Sequence, residues 1–520
     1  MAEHTQIVLR SNCIFDGTGA EPFSGYVVIR DERILQVVQG DLPSELAHGS
    51  TVYELGNRTI CPGFADAHTF FTGWALNYLG VDLSPATDGS QIGQIALTYA
   101  NSLPPEKPVW GHGWDPTIVT GGPQNLDRVF PDRPAVLFAA GAETFWINSA
   151  AIQRYGFDNS ADCNEVFWRL MEEFLADHTF SKPLFQHYMQ MLNRRGVTSV
   201  KEIGYDTFST FPEVLEQLER DNAMTLRVHF MSQPVKEGAN LDYARRMRQR
   251  FQGEFVRFSG FNRMTDGSIS QMCGYLKQPY RCAPDTQCAQ EIDWALIERE
   301  VLQADAEGFR FSLNAQGDAA VARVLDIYEK CCRDSRGKVC NRHAITEAEF
   351  SDPQDLERMG QLGVICEFYP QIQSIADRAG KVGMIEEKLG TERGAGYWNR
   401  RKMADSGVLL CCGTDLPLVI DDIPQSLYHS VTGKFPEGGE PFHPENTLTV
   451  SEVLQAWTSG GAYDMYREGD TGTLAPGNKA DIAVLDANIF AMPIDEVRKA
   501  KVCLTLVNGA VVYDVWSTEG

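Results

Sequence analysis

The feature that most limits what this chain can fold into is an alternation repeated along its middle. Strand-length apolar runs are each followed by a stretch of helical periodicity: "GVTSVKEIG" then "FPEVLEQLERDNA", "GFRFSLNAQGD" then "AAVARVLDIYEKC", "NRHAITEAEF" then "DPQDLERMGQLG", with "GVLLCCGTD" as a further run near residue 415. A strand covered on one face alternates apolar and polar residues, whereas a run that is apolar throughout is buried on both faces. Parallel sheets with returning helices produce that pattern. Repetition of one βα order predicts a (β/α)8 TIM barrel. In that fold the polar residues just after the strands stand at the C-terminal mouth, where its active sites form. Here they are His68, Lys201 with Glu202, Asn314, Glu347 and Asp415.

The two ends read differently. "QIVLRSNCIFDGTG", "GYVVIRDERILQVV" and "STVYELGNRTICPGF" are short β-rich runs with turn punctuation, and "TGTLAPGNKADIAVLDANIF" and "KVCLTLVNGAVVYD" mirror them at the far end. Residues 1–62 and 470–520 are therefore expected to pair as one small β-sandwich beside a barrel of residues 63–469. Between the first strand and "GVTSVKE" lie roughly a hundred residues, more than one connecting helix needs. An insertion at about 80–190, containing "VWGHGWDP", is expected to fold over the mouth and bring His112 and Trp114 to the pocket.

Composition excludes several classes. Lys+Arg of 46 against Asp+Glu of 70 gives 46 − 70 = −24, which repels phosphate backbones and anionic lipid, so neither nucleic acid nor a membrane is expected as a partner. The start "MAEHTQIVLRSN" lacks a basic stretch followed by an apolar one, and a cytoplasmic location is expected. Thirteen cysteines in 520 residues are too sparse for a disulfide scaffold. The adjacent pairs Cys331/Cys332 and Cys411/Cys412 lack CxxC spacing and read as packing residues.

Several motifs in order resemble the amidohydrolase superfamily, in its YtcJ-like branch, which includes N-substituted formamide deformylases. "PGFADAH" resembles the first-strand motif, "GHGWDP" the insertion and "MTDGSISQMCGYLKQPY" the DGS segment, and "NAQGDAAV", "GTDLPL" and "GTLAPGNKADIAVLD" continue the match. The resemblance implies a barrel flanked by a sandwich, and hydrolysis of a non-peptide C–N bond. It also implies one or two divalent metals held by an HxH pair, often a carboxylated lysine, two further histidines and a last-strand aspartate.

Those ligand positions depart from the pattern. The HxH reads His68, Thr69, Phe70; the lysine position reads Asn262, and the two histidine positions read Asn314 and Glu347. His68 and Asp415 match. Lys201 is a candidate stand-in for the carboxylated lysine. A catalytic zinc needs about three imidazole, thiolate or carboxylate ligands and an open position; Phe70 has no lone pair, and asparagine carbonyls suit harder cations. The expected state has no bound metal, with a single divalent ion on His68, Glu347 and Asp415 as the alternative.

The catalytic candidates are thus His68, Asp415, Glu347 and Lys201, the last two able to pair across one cavity. Asp415 suits a general base and His68 an acid or oxyanion stabiliser. Phe70, His112, Trp114, Asn262 and Asn314 are candidate binding residues for a small-molecule substrate. His343 reads as structural, and Asp266 as part of a turn that orders the mouth. Two alternatives to a hydrolase or related acid–base enzyme stay open: a non-catalytic small-molecule binder and a mononuclear metal hydrolase. A homodimer is compatible with the chain. The two broad classes separate on whether polar groups converge in the mouth or the cavity is apolar and filled.

Overall fold

The computed structural model describes residues 6–118, 126–140, 144–157, 163–206, 210–234, 238–418 and 422–516. Eight parallel strands form the central sheet: β1 (Phe64–Thr69), β2 (Val197–Ile203), β3 (Arg227–Ser232), β4 (Val256–Met264), β5 (Phe311–Ala315), β6 (Ala344–Glu347), β7 (Ile365–Phe368) and β8 (Leu409–Cys412). They pair in sequence order from β1 to β8. The ring is stitched shut just past the strand ends, where Asp415 N donates to His68 O (3.0 Å) and Phe70 N to Leu416 O (2.8 Å). This is the (β/α)8 barrel expected from the repeated runs.

Every residue of β1, β2 and β3 is buried, polar ones such as Asp66, His68, Lys201, Arg227 and His229 included, as expected of strands covered on both faces. Outward side chains such as Phe230, Phe261, Phe311 and Leu313 join the main core under the helices. The helix Phe211–Arg220 shows how these are written: Pro212 stands in the first turn, and Phe211, Val214, Leu215 and Leu218 form one buried stripe. Helix Pro353–Leu362 is capped by Asp352, which accepts from Gln354 N, and ends at Gly363 with φ 69°, a left-handed position that favours glycine.

Both ends of the chain build the β-sandwich. Its sheet runs Ala510–Asp514, Val502–Val507, Ile482–Leu485, Thr59–Pro62, Gln6–Ile14, Phe23–Arg30, Arg33–Gln39, with Thr51–Glu54 also on Gln6–Ile14. The ends meet where Ile482–Leu485 pairs antiparallel with Thr59–Pro62. Leu9, Ile14, Val27, Ile60, Ile482 and Leu504 form its separate core.

Between β1 and β2 the insertion carries a four-stranded sheet, Val81–Asp82, Val109–Trp114, Ala135–Ala139 and Phe145–Ile147. Leu83, Ile92, Trp114, Leu137 and Trp146 give it a core of its own. The helix His178–Asn193 that follows returns to the barrel, burying Phe185, Tyr188 and Leu192 in the main core.

Candidate active site

The mouth is assembled from β1 outward. Asp66, fully buried, accepts from His68 N (3.2 Å) and from Thr414 N and Oγ1 (3.0 and 2.7 Å), tying the end of β1 to the loop after β8. Burial pushes its carboxyl up to about 6 despite these donors. On β2, Glu202 accepts from Thr69 Oγ1 (2.9 Å), Tyr188 OH (2.7 Å) and Phe71 N (2.8 Å), and burial pushes it up to about 7. Two buried carboxyls therefore brace the turn that carries His68 and Phe70.

His68 stands between two more carboxyls: Nδ1 lies 3.8 Å from Glu367 Oε2 and Nε2 lies 3.7 Å from Asp415 Oδ1. Its ring also meets Phe70 edge-on, with centroids 5.5 Å apart, and Tyr369 at 5.1 Å. Gly413 makes this approach possible, since a Cβ there would sit 2.9 Å from His68 Cβ and 3.0 Å from Tyr369 Cε1. Asp415 has φ 55° and Glu347 and Ala348 have φ 72° and 47°. Left-handed backbone costs on the order of 1–3 kcal/mol per non-glycine residue and is retained mostly at functional sites. The ends of β6 and β8 thus hold their acids in backbone conformations that an ordinary strand end would avoid.

Glu347 Oε1 accepts from Asn314 Nδ2 (2.7 Å). Burial raises its carboxyl well above the usual range, and the neighbouring carboxyls Glu349 and Asp415 add to the effect. Burial also raises Asp415, but His68 works against that rise. The two acids are consequently separated: Glu347 holds its proton more firmly, and Asp415 is the one with an adjacent imidazole. Asn262, buried on β4, donates from Nδ2 to Gln233 Oε1 (3.3 Å). Asp266 of the DGS segment accepts from the backbone N–H groups of Tyr275, Gln316 and Gly317 at 2.8 to 2.9 Å, so it orders the loops after β4 and β5, as its turn context suggested.

Lys201 lies elsewhere. Its ammonium is fully buried one layer below, bonded to Glu367 Oε1 and to Asp464 Oδ2 (2.8 Å), and Arg310 closes the group through Glu367 (3.1 Å) and Asp464 (2.6 Å). Burial alone would raise Glu367, yet Lys201, His68 and Arg310 together hold it well below the carboxylate range. The expected Lys201–Glu347 pair is therefore replaced by a balanced quartet of two cations and two anions. The physical reason is depth: Lys201 sits two residues before the end of β2, and Arg310 precedes the first residue of β5.

His112 and Trp114 lie in the insertion, apart from this cluster of strand-end residues. Trp114 is in the insertion core, where its Nε1 donates to Leu137 O (3.0 Å) and its ring packs on Trp146 at 4.9 Å. His112 Nδ1 contacts Leu79 O at 3.0 Å, also within the insertion. An aromatic-rich insertion needs a core before it can supply a lid, and that need takes the tryptophan. A cleft of about 230 Å³ in the insertion, beside Trp110, Phe174 and Phe180, is lined by none of the strand-end residues. Beside Glu347, Tyr369 and Arg400 a cavity of about 10 Å³ has room for one water.

Two residues that stand beside His68 at the mouth escaped the sequence reading, Glu367 and Tyr369. Both come from "GVICEFYP", where a glutamate inside an apolar strand-length run was the available signal, because a carboxylate buried there needs a cation partner.

The donor set does not fit a binuclear metal centre. Phe70 occupies the second histidine position without a lone pair, and the Lys201 ammonium is held by two carboxylates and is in no position to bridge ions. Asp305, Cys331 and His343 cluster in the interior before β6. There His343 Nδ1 accepts from Phe311 N (3.0 Å) while Nε2 faces Asp305 Oδ1 (3.0 Å), so both ring nitrogens are committed to structure.

A barrel that gathers acids and an imidazole at the ends of β1, β6 and β8, beside a sandwich from both termini, is a hydrolase-type frame, and comparison with known proteins agrees. The chain belongs to the amidohydrolase family, whose model matches residues 51–513. It is 24% identical to the YtcJ protein of Bacillus subtilis (strain 168) over 493 residues, 88% of this chain and 90% of that one. It is 20% identical to the N-substituted formamide deformylase of Arthrobacter pascens over 537 residues, 94% of each chain. Among solved structures, an uncharacterized metal-dependent hydrolase from Pyrococcus horikoshii OT3 superimposes with a TM-score of 0.73 at 19% identity, covering 94% of this chain and 99% of that one. No helix among the described residues is long and apolar enough to cross a membrane.

Proposed function

We propose that this protein hydrolyses a non-peptide C–N bond in a small organic molecule, by acid–base chemistry of its own side chains and with no resident metal. The observation that carries the reading is His68 held between Glu367 and Asp415, with Glu347 and Tyr369 converging on the same end of the barrel. Polar groups meeting at one point favour an enzyme over a binder with an apolar, filled cavity.

In the proposed reaction Asp415 takes a proton from water as the oxygen attacks the carbon of the C–N bond. The buried Tyr369 hydroxyl, which has no hydrogen-bond partner among the described residues, donates to the oxyanion that forms. Asp415 then returns its proton to the leaving nitrogen, so atoms and charge balance over the cycle. His68 orients Asp415 and favours its ionised form, while the quartet around Glu367 fixes the other side of the imidazole. Relatives by name support the bond class: one of them is a formamide deformylase.

The test uses a panel of N-substituted formamides and related amides. Asp415→Asn is expected to lose about 10²–10⁴-fold in kcat on any substrate found, and chelator-treated enzyme is expected to keep its rate. Activity that disappears with chelation and returns with zinc or manganese would replace this reading with the mononuclear one.

A further inference from the structure

We propose that the mouth receives a cationic, N–H-rich group of the substrate, of ammonium, amidinium or guanidinium type, between Glu347, Asn314 and Asn262 and against the rings of Phe70 and Tyr369. This deepens the hydrolase reading and rests on it for the identity of the pocket.

The inference comes from counting donors and acceptors on neighbouring strands. Asn262 uses its Nδ2 on Gln233, and Asn314 uses its Nδ2 on Glu347. What remains is Asn262 Oδ1, Asn314 Oδ1 and Glu347 Oε2, three buried atoms without a hydrogen-bond partner among the described residues, the last an acceptor once a cation offsets the burial that raises the Glu347 carboxyl. The two asparagines are 1% and 3% exposed, so bulk water does not serve them. An unsatisfied buried acceptor costs about 1–3 kcal/mol, and three of them on β4, β5 and β6 call for three donors. One water supplies two. An ammonium supplies three, and an amidinium or guanidinium supplies four or more.

Charge points the same way. Lys201 and Arg310 are matched by Glu367 and Asp464 in the layer below. Arg400 lies over Phe368 and Trp398 (5.3 and 5.6 Å), bonds to Ser430 Oγ at 3.4 Å and has Glu349 as its nearby carboxylate. Lys381 also faces Glu349, at 3.8 Å. Among the described residues neither Glu347 nor Asp415 has a Lys or Arg within ion-pair distance: Asp415 has the His68 imidazole at 3.7 Å, and Arg400 lines the small cavity beside Glu347 without pairing with it. Phe70 and Tyr369 flank His68, and aromatic faces attract cations. Phe70 thus has a use where a second histidine would stand: it offers a π surface to an organic cation.

Titration calorimetry on the full-length protein with benzamidine, benzamide and benzoate tests this, because the three share a ring and differ in charge and donors. Benzamidine is expected to bind at least about tenfold more tightly than benzamide, and benzoate to give no measurable heat. Glu347→Gln and Asn314→Leu, each checked for native circular dichroism, are expected to lose about tenfold of the benzamidine affinity and leave benzamide unchanged. Equal affinity for benzamidine and benzamide overturns the proposal, as does benzamidine binding that survives both substitutions. Displacement of benzamidine by Mg²⁺ or Ca²⁺ at micromolar concentration overturns it in favour of a hard-cation site. The hydrolase reading fails separately: if amides are hydrolysed while benzamidine neither binds nor inhibits, the cation site is wrong and the reaction stands, whereas benzamidine binding that depends on Glu347 with no turnover of any panel member upholds the site and sinks the reaction.

Discussion

His68 stands between Glu367 and Asp415 at this barrel's mouth, and its place decides what the acids there can do. Asp415 and Glu347 are both raised by burial, but only Asp415 has the imidazole beside it to favour ionisation. As a general base Asp415 works only when ionised, so kcat/KM is expected to rise with pH through an acid limb that lies above the ordinary aspartate range. Replacing His68 by asparagine removes the group that lowers the Asp415 pKa, and the limb is expected to move to higher pH while the plateau rate falls about 10- to 100-fold. A pH–rate profile of His68→Asn with an unmoved limb would show that the imidazole does not govern Asp415. The same residue-scale logic explains Gly413: it is glycine because His68 and Tyr369 press against it from two sides, within about 3.0 Å of where a Cβ would be.

At the scale of elements, the buried quartet couples the mouth to the lower barrel. Lys201 on β2, Arg310 before β5, Glu367 on β7 and Asp464 in the helix Gly461–Asp464 neutralise one another where water does not reach. Such groups add little net stability when complete, but removing one partner strands a charge and costs about 3–5 kcal/mol. Lys201→Met should therefore lower the unfolding free energy read from urea melts by that amount, and Lys201→Met with Glu367→Gln should cost less than the sum of the two single changes. Strict additivity in that double-mutant cycle would mean the pair is not coupled. The quartet also marks where the sequence stops being legible. The barrel was readable because strands buried on both faces are written as continuous apolar runs, and His68 and Asp415 were readable as polar residues directly after such runs. Depth within a strand was not: Lys201 and Glu347 both stand near strand ends, and only the inward alternation of β2 and the turned-in backbone at the end of β6 put them in different layers. The place of Trp114 was hidden for a related reason, since an aromatic residue in a polar motif reads as a lid until the insertion is seen to need its own core.

The molecule as a whole is closed by its termini, and the seam is electrostatic as well as β-sheet. Arg227, fully buried at the start of β3, grips Asp481 of the C-terminal segment with Nε to Oδ2 at 2.6 Å and Nη2 to Oδ1 at 3.0 Å. Asp481 also accepts from Asn508 N (2.7 Å), and its own carbonyl accepts from Gly63 N (2.8 Å), one residue before β1 begins. A single residue thus joins the foot of the barrel and the last hairpin of the sandwich through its carboxylate, and the entry to the strand that carries His68 through its backbone carbonyl. Bidentate Arg–carboxylate pairs are among the strongest charge-assisted contacts, and losing one side leaves a buried guanidinium with only Glu254, 2.6 Å away, to offset it. Asp481→Asn is accordingly expected to cost about 3 kcal/mol and to split unfolding into two steps, the sandwich melting before the barrel. Differential scanning calorimetry and hydrogen exchange at Ile482–Leu485 follow the two units separately. One unshifted, cooperative transition in Asp481→Asn would show that sheet pairing between Thr59–Pro62 and Ile482–Leu485 holds the sandwich to the barrel without this ion pair.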